Sequence, residues 1–297
     1  MKKIALIIFI LFSACTSKTG LPEKNTPGKG NDIMFPFEDT FSWKGIGKRD
    51  DALIALFVKQ APVLLKSEYE FYGNAYHPEK EFENECHVID FNNDGVNDII
   101  YTGSTGGEER EVAIFLNTKN GFQKVFKQVQ YIKKLDFKDH KLYRLYIFDD
   151  GCCATYNDFN RIYQVDYKDK TPQFTLIYLT AKTHNAYFPK KYFNRPIYFE
   201  VLNNNYKMRD SAAVDDTTKN GMGGITFLGN NIDTLSKGTK GRAIASQTDK
   251  TGRVWWLVEI DSAYRKYGNL FYQPEGEKYP TSKMGWISSR YVKRIIK

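Results

Sequence analysis

Val88-Ile89-Asp90-Phe91-Asn92-Asn93-Asp94-Gly95-Val96-Asn97-Asp98-Ile99-Ile100 sets two short apolar runs on either side of an oxygen-rich turn. Val88-Ile89 and Ile99-Ile100 are β-branched, the composition of strands, and the Asn, Asp and Gly between them are turn formers. The stretch therefore reads as two strands joined by a tight loop. Counting from Asp90, oxygen side chains stand at loop positions 1, 3, 5 and 9: Asp90, Asn92, Asp94 and Asp98. Gly95 at position 6 allows a sharp turn, and the Val96 carbonyl falls at position 7. That spacing wraps hard oxygen ligands around one Ca2+. An EF-hand would need an acid at position 12, where this chain has Tyr101, and helical flanks, so it is excluded. The same residues also suit a metal-free turn held by side-chain-to-backbone bonds. A bound ion here would be structural: it would neutralise three close carboxylates and fix the hairpin.

Outward from the loop the strand pattern continues. His87–Asp90, Asp98–Thr102, Glu111–Leu116, Leu142–Phe148, Arg161–Tyr167 and Phe174–Leu179 are rich in Val, Ile, Tyr and Phe and are separated by turn clusters. With 21 Phe and 20 Tyr, the chain suits half-buried pleated surfaces. One helix precedes the strands: Asp50 and Asp51 stand ahead of Ala52–Val58, where an Asp is a good N-cap, with Leu53, Leu56, Phe57 and Leu64 on one face, and Pro62 ends or kinks it. The expected class is mainly β with a short N-terminal helix. A break at 183–195 divides a β-rich domain, 34–190, from a C-terminal domain, 196–297.

The loop and its flanks, from Cys86 to Asn117, resemble the Asp-x-Asn-x-Asp-Gly-x-x-Asp calcium loop of FG-GAP/VCBS-type β units. Those families repeat the unit, and this chain shows it once. The C-terminal domain resembles a bacterial SH3-like (SH3b) module. Tyr206-Lys-Met-Arg209-Asp-Ser211 is similar to its opening strand and turn, and Leu235–Ala245 to its Lys-Gly-Thr turn. Arg253–Ile260 is similar to its Trp-containing strand, and Met284-Gly285-Trp286-Ile287-Ser288-Ser289-Arg290-Tyr291-Val292 to its closing segment. Ala212-Ala213 replaces the usual Gly-Pro, and an insertion, Ala263–Lys283, precedes the last strand. The resemblance implies a small barrel. Trp255, Trp256, Trp286 and Tyr291 would then offer an aromatic groove for an extended peptide, although Trp286 also suits the core of so small a module. Alternation along the strand puts one of Trp255 and Trp256 inward and the other outward.

At the other end, Lys2-Lys3, the apolar run Ile4–Phe12 and Ser13-Ala14-Cys15 resemble the signal peptide and lipobox of bacterial lipoproteins, with Phe12 where Leu or Val is usual. The resemblance implies a diacylglyceryl group on Cys15, a membrane anchor and a place in the cell envelope, on the outer membrane where a cell has two. Residues 16–33, with Gly20, Pro22, Pro27, Gly28 and Gly30, read as a flexible tether. Loss of Lys2 and Lys3 lowers the formal charge from +8 to +6. No Lys/Arg block is dense enough for a nucleic-acid partner. Export permits disulfides, and Cys86, Cys152 and Cys153 allow three pairings, of which a bridge from Cys86 to Cys152 or Cys153 strains the chain least.

The chain has only four histidines, His77, His87, His140 and His184, and none lies in a cysteine-peptidase signature. Cys86 and His87 are strand neighbours and point to opposite faces. There is no Gly-x-Ser-x-Gly, no zinc helix and no phosphate loop. The reading is a non-catalytic, lipid-anchored envelope protein that binds a peptide, a cell-wall polymer or a protein through its SH3-like module. The alternatives are a cysteine-dependent envelope hydrolase and a scaffold component of an envelope complex.

Overall fold

Four short helices come first in the chain, α1 (Asp51–Val58), α2 (Ala61–Leu64), α3 (Lys66–Tyr72) and α4 (Glu79–Asn84). This computed structural model describes residues 33–37, 39–72, 79–107, 109–150, 157–222, 225–264 and 281–296. Of the two Asp residues ahead of the helix, Asp50 is the cap, its carboxylate accepting the Leu53 N–H at 3.0 Å, and Asp51 is the first helical residue. Pro62 does not kink α1: the helix ends at Val58, and Pro62 sits in the first turn of α2, where its missing N–H costs nothing. The buried face of α1 is Ile54 and Phe57, whereas Leu56 is exposed and Leu53 half-buried. The face is turned because Ile54, Phe57 and Ala61 pack together on the sheet below.

Strands hold 53% of the structure and helices 13%, so the fold is mainly β. The first sheet is an antiparallel meander of β1 (Cys86–Ile89), β2 (Asp98–Ser104), β3 (Arg110–Thr118) and β4 (Gly121–Val129). Its helix-side face carries Val88, Ile99, Tyr101, Ala113, Phe115 and Phe122. The opposite face, with Ile100, Val112, Ile114 and Leu116, meets the next sheet. β2 and β3 are thus covered on both sides, which explains their near-continuous apolar sequence. The outer edge of β1 is capped by the approaching chain: Lys48 N–H donates to the Val88 carbonyl at 3.2 Å. Gly47, at φ 68, makes this approach possible, since a Cβ there would lie 2.0 Å from the Val88 oxygen.

The second sheet begins with β5 (Tyr131–Lys138), β6 (Lys141–Asp149), β7 (Asn157–Lys168) and β8 (Thr171–Thr183). β5–β6 and β7–β8 are hairpins with two-residue turns, Asp139-His140 and Asp169-Lys170, all four residues at positive φ. That is type I′ geometry, made here without glycine. The chain continues through β9 (Tyr192–Val201), β10 (Tyr206–Arg209), the separate ribbon β11 (Lys219–Met222) and β12 (Ile225–Leu228), and β13 (Asn231–Leu235). It ends with β14 (Lys240–Thr248), β15 (Val254–Ile260), β16 (Ser282–Ser288) and β17 (Val292–Arg294).

The expected small C-terminal barrel is not a closed, isolated sheet. Its strands belong to an open eleven-stranded sheet, ordered β17-β9-β14-β15-β16-β8-β7-β6-β5, with β10 and β13 off that path. The join is β16, whose Ser282 and Lys283 pair in parallel with Thr180 and Ala181 of β8. Met34–Lys297 forms one compact unit, and the expected break near residues 183–195 falls inside it.

Candidate functional site

The Asp90 loop is held tightly by its own side chains. Asp90 accepts the N–H of Asp94 at 3.0 Å and of Gly95 at 2.9 Å, one on each carboxylate oxygen. Asp94 accepts the Val96 N–H at 2.9 Å. Asn92, 2% exposed, accepts the Asp94 N–H and donates to the Asp94 carboxylate and to the Lys170 carbonyl, each at 3.2 Å. Asn93 and Gly95 take positive φ, as the turn requires. The loop also fastens one sheet to the other. Phe91 is fully buried between them, and its carbonyl accepts the Leu142 N–H and the Tyr167 hydroxyl.

Asp98 is the exception to this satisfied network. It is 1% exposed; one oxygen accepts the Asn117 N–H at 2.9 Å, and Oδ2 has no hydrogen-bond partner. Burial, with the charges of Asp94 and Asp90 adding to it, pushes the carboxyl up to about 7. A buried carboxylate oxygen without a donor fits a hard cation in kind. Among the described residues, however, no three His, Cys, Asp or Glu side chains converge to hold an ion. In this geometry Asp90 and Asp94 are turned onto backbone amides instead.

The proposed aromatic groove does not form. Trp255, Trp256 and Trp286 are 2%, 6% and 0% exposed. Trp255 and Trp256 do point to opposite faces of β15, but both faces are covered. Trp256 lies in the inner core with Phe199, Met208 and Ile287. Trp255 and Trp286 lie in a second cluster roofed by Met34, Phe37, Phe188 and Tyr192. The segment ahead of α1 thus seals the face that alternation would leave open. Both indoles are anchored: Trp255 donates to Asp249 at 2.9 Å and Trp286 to the Tyr187 carbonyl at 2.8 Å. Only Tyr291 is accessible, edge-on to Tyr206. A separate groove of about 290 Å3 is lined by Asp233, Leu235, Lys237, Thr239, Tyr264 and Lys283, where the aromatic insertion begins.

Cys86 carries a free thiol, so the expected bridge from it to Cys152 or Cys153 is not made. The physical reason is placement: Cys86 is 3% exposed in the helix–sheet core, with its Sγ donating to the Phe82 carbonyl. Burial pushes the thiol well above its ordinary range, which removes the thiolate that catalysis needs. Cys15, Cys152, Cys153, the tether and most of the insertion lie outside the described residues.

Two ion clusters escaped the sequence reading. Asp158 and Lys182, opposite one another on β7 and β8, form a buried ion pair, and Asp158 also meets His184 Nδ1 at 3.0 Å. Lys127 on β4 bridges Glu68 of α3 at 2.6 Å and Glu111 of β3 at 2.8 Å. Burial pushes Glu111 up to about 7. No local spacing signals either cluster, because each is assembled by strand register or helix docking.

Comparison with known proteins returns nothing similar to this chain: no protein-family model, no curated protein and no solved structure matches. Among the described residues no helix is long and apolar enough to cross a membrane.

Proposed function

We propose that this chain is a non-catalytic, lipid-anchored protein of the cell envelope. Cys15 carries the lipid, 16–33 is the tether, and a β body resembling an FG-GAP/VCBS-type unit is braced by Ca2+ in the Asp90 loop. Asp90, Asn92, Asp94, Asp98 and the Val96 carbonyl would hold the ion. It would supply the charge that Asp98 lacks, and the orphaned oxygen there supports this assignment. Residues 196–297 form an SH3-like module that binds a peptide, cell-wall or protein partner. The observation that carries the binding role is the groove beside Tyr264, since the Trp residues first assigned to it are packed away.

The test is co-sedimentation of the mature, detergent-solubilised protein with purified cell-wall sacculi at low and high salt. Tyr264→Ala and Tyr291→Ala are compared with wild type. Salt-resistant binding that Tyr264→Ala abolishes supports a wall ligand at the groove. Binding that vanishes with salt alone reduces to nonspecific attraction by the basic surface and overturns it.

One observation favours the hydrolase alternative. The Asp158–His184 pair is the carboxylate–imidazole arrangement that orients a general base. It lies beside Asn157, the strand end that follows Cys152 and Cys153 in sequence. Loss of any wall-cleaving activity on thiol alkylation would favour this reading over the first.

A further inference from the structure

Met34-Phe35-Pro36-Phe37 forms a strap over the aromatic cluster of Trp255 and Trp286. Its hold is by rings. Phe35 stacks on Tyr178 of β8 at 6.4 Å and 13° and meets Tyr146 of β6 edge-on at 6.2 Å. Phe37 stacks on Phe188 at 5.3 Å and 22° and on Tyr192 at 5.5 Å and 13°. Phe35 is buried, whereas Met34, Pro36 and Phe37 are half-buried.

The strap's backbone gives nothing to the body. Among the described residues its one main-chain hydrogen bond is internal, from the Phe37 N–H to the Phe35 carbonyl at 3.0 Å, a three-residue turn about Pro36. A segment held by side chains alone opens without breaking any strand ladder, and such segments stand at the low-stability end of a fold.

The face beneath is polar where the strap crosses it. Tyr178, Thr180 and Lys182 share one face of β8, and Ile162, Asn160 and Asp158 stand opposite them on β7. Phe35 covers the Tyr178 end, and at the other end Phe188, stacked on Phe37, meets the Lys182 ammonium at 5.3 Å. Asn160 lies between the two. It is 1% exposed, and neither its Oδ1 nor its Nδ2 has a hydrogen-bond partner. Pro36, between the two strap rings, has no N–H to offer. A buried amide left unpaired is costly, so the strap covers this face without satisfying it.

We propose that this face is a binding groove for a peptide carrying two aromatic side chains, and that residues 34–37 occupy it as a displaceable internal ligand. The strap itself displays the chemistry that the groove accepts: flat rings against Tyr178, Phe188 and Tyr192. An attached segment competes at an effective concentration on the order of millimolar, so a partner of the same chemistry enters only when the strap leaves. This extends the peptide-binding reading to a second face. Tyr264→Ala tests only the other groove, so the two assignments fail separately.

The test is fluorescence anisotropy with a capped, fluorescein-labelled Met-Phe-Pro-Phe peptide titrated into the full mature protein. Wild type is compared with Phe35→Ala/Phe37→Ala. A groove that stands open about a tenth of the time or less has an apparent Kd raised at least about tenfold. The double variant is therefore expected to bind the probe at least about tenfold tighter than wild type, and adding Phe188→Ala should remove that gain. Phe37→Leu, which keeps an apolar side chain, serves if the double variant does not fold; losing one ring stack should tighten probe binding by roughly two- to tenfold. Strap variants that bind no tighter than wild type, a gain that survives Phe188→Ala, or no saturable binding to any variant up to about 1 mM would overturn the assignment.

Discussion

Replacing Asp98 by Asn should make the protein more stable at pH 8 without calcium and should remove its response to calcium. The wild-type carboxyl titrates near 7 in the fold against 3.8 for an unperturbed Asp. Each pKa unit corresponds to about 1.4 kcal/mol, so ionising Asp98 within the fold costs about 4 kcal/mol. A raised carboxyl pKa means that its stabilising, protonated form is fully present below pH 3.8. The contribution is then lost as pH rises to about 7. The amide introduced by Asp98→Asn would keep the acceptor for the Asn117 N–H and stay neutral throughout. Its Nδ2 replaces the unpartnered oxygen and is itself left unpaired, at about 1–3 kcal/mol. The net expected gain at pH 8 in EDTA is therefore about 1–3 kcal/mol, shrinking to a loss near pH 4.

Calcium should act differently on the two proteins. At a hundredfold excess over its dissociation constant it stabilises wild type by about 2.7 kcal/mol, and Asp98→Asn little. The assay is urea unfolding at pH 4, 6 and 8, with EDTA or with CaCl2. Glu111 is also pushed up to about 7, so the quantity to read is the difference between variant and wild type. A difference that does not change with pH would refute the account of Asp98. A pH-dependent difference with no calcium effect would retain the buried carboxylate and reject the ion.

Other perturbations follow from the packing. Phe91→Ala empties a fully buried site between the two sheets, and a loss of about 3–5 kcal/mol in urea unfolding is expected. Trp255→Ala should destabilise by a similar amount, whereas Tyr291→Ala should stay within about 0.5 kcal/mol, a contrast that a surface groove would reverse. Gly285→Ala sets a Cβ 2.8 Å from both Ile232 and Met208; thermal melting should show a loss of about 1–3 kcal/mol. The Cys86 thiol should resist alkylation in the native protein and react on unfolding, as peptide mapping would show.

Local pattern sufficed for the strands and the hairpin loop. Apolar, β-branched runs report pleated surface wherever they lie, and all six expected strands occur, the first shifted by one residue and the other five extended by a few. An Asp cap at the start of α1 and the Asp90 loop were equally legible, because each is built from contacts within a few residues. β4 and β5 were not read. Their Lys and Gln residues dilute the pattern, and only Phe122, Phe126, Ile132 and Leu135 are buried. The non-glycine turns at Asp139-His140 and Asp169-Lys170 gave no signal either, since ladder pairing on both flanks stabilises a backbone those residues seldom adopt alone.

Which faces are covered depends on the packing of distant segments. Strand periodicity places Trp255 and Trp256 on opposite sides, but only the roof of Met34, Phe37, Phe188 and Tyr192 makes both of them core. Likewise, Glu68, Lys127 and Glu111 become one cluster only when α3 docks on the sheet. Asn160 lies between the Phe35 and Phe37 contacts only because a segment ahead of α1 crosses the sheet. Periodicity is a local property of the backbone, whereas burial depends on what arrives from far along the chain, and pairs distant in sequence leave no local trace.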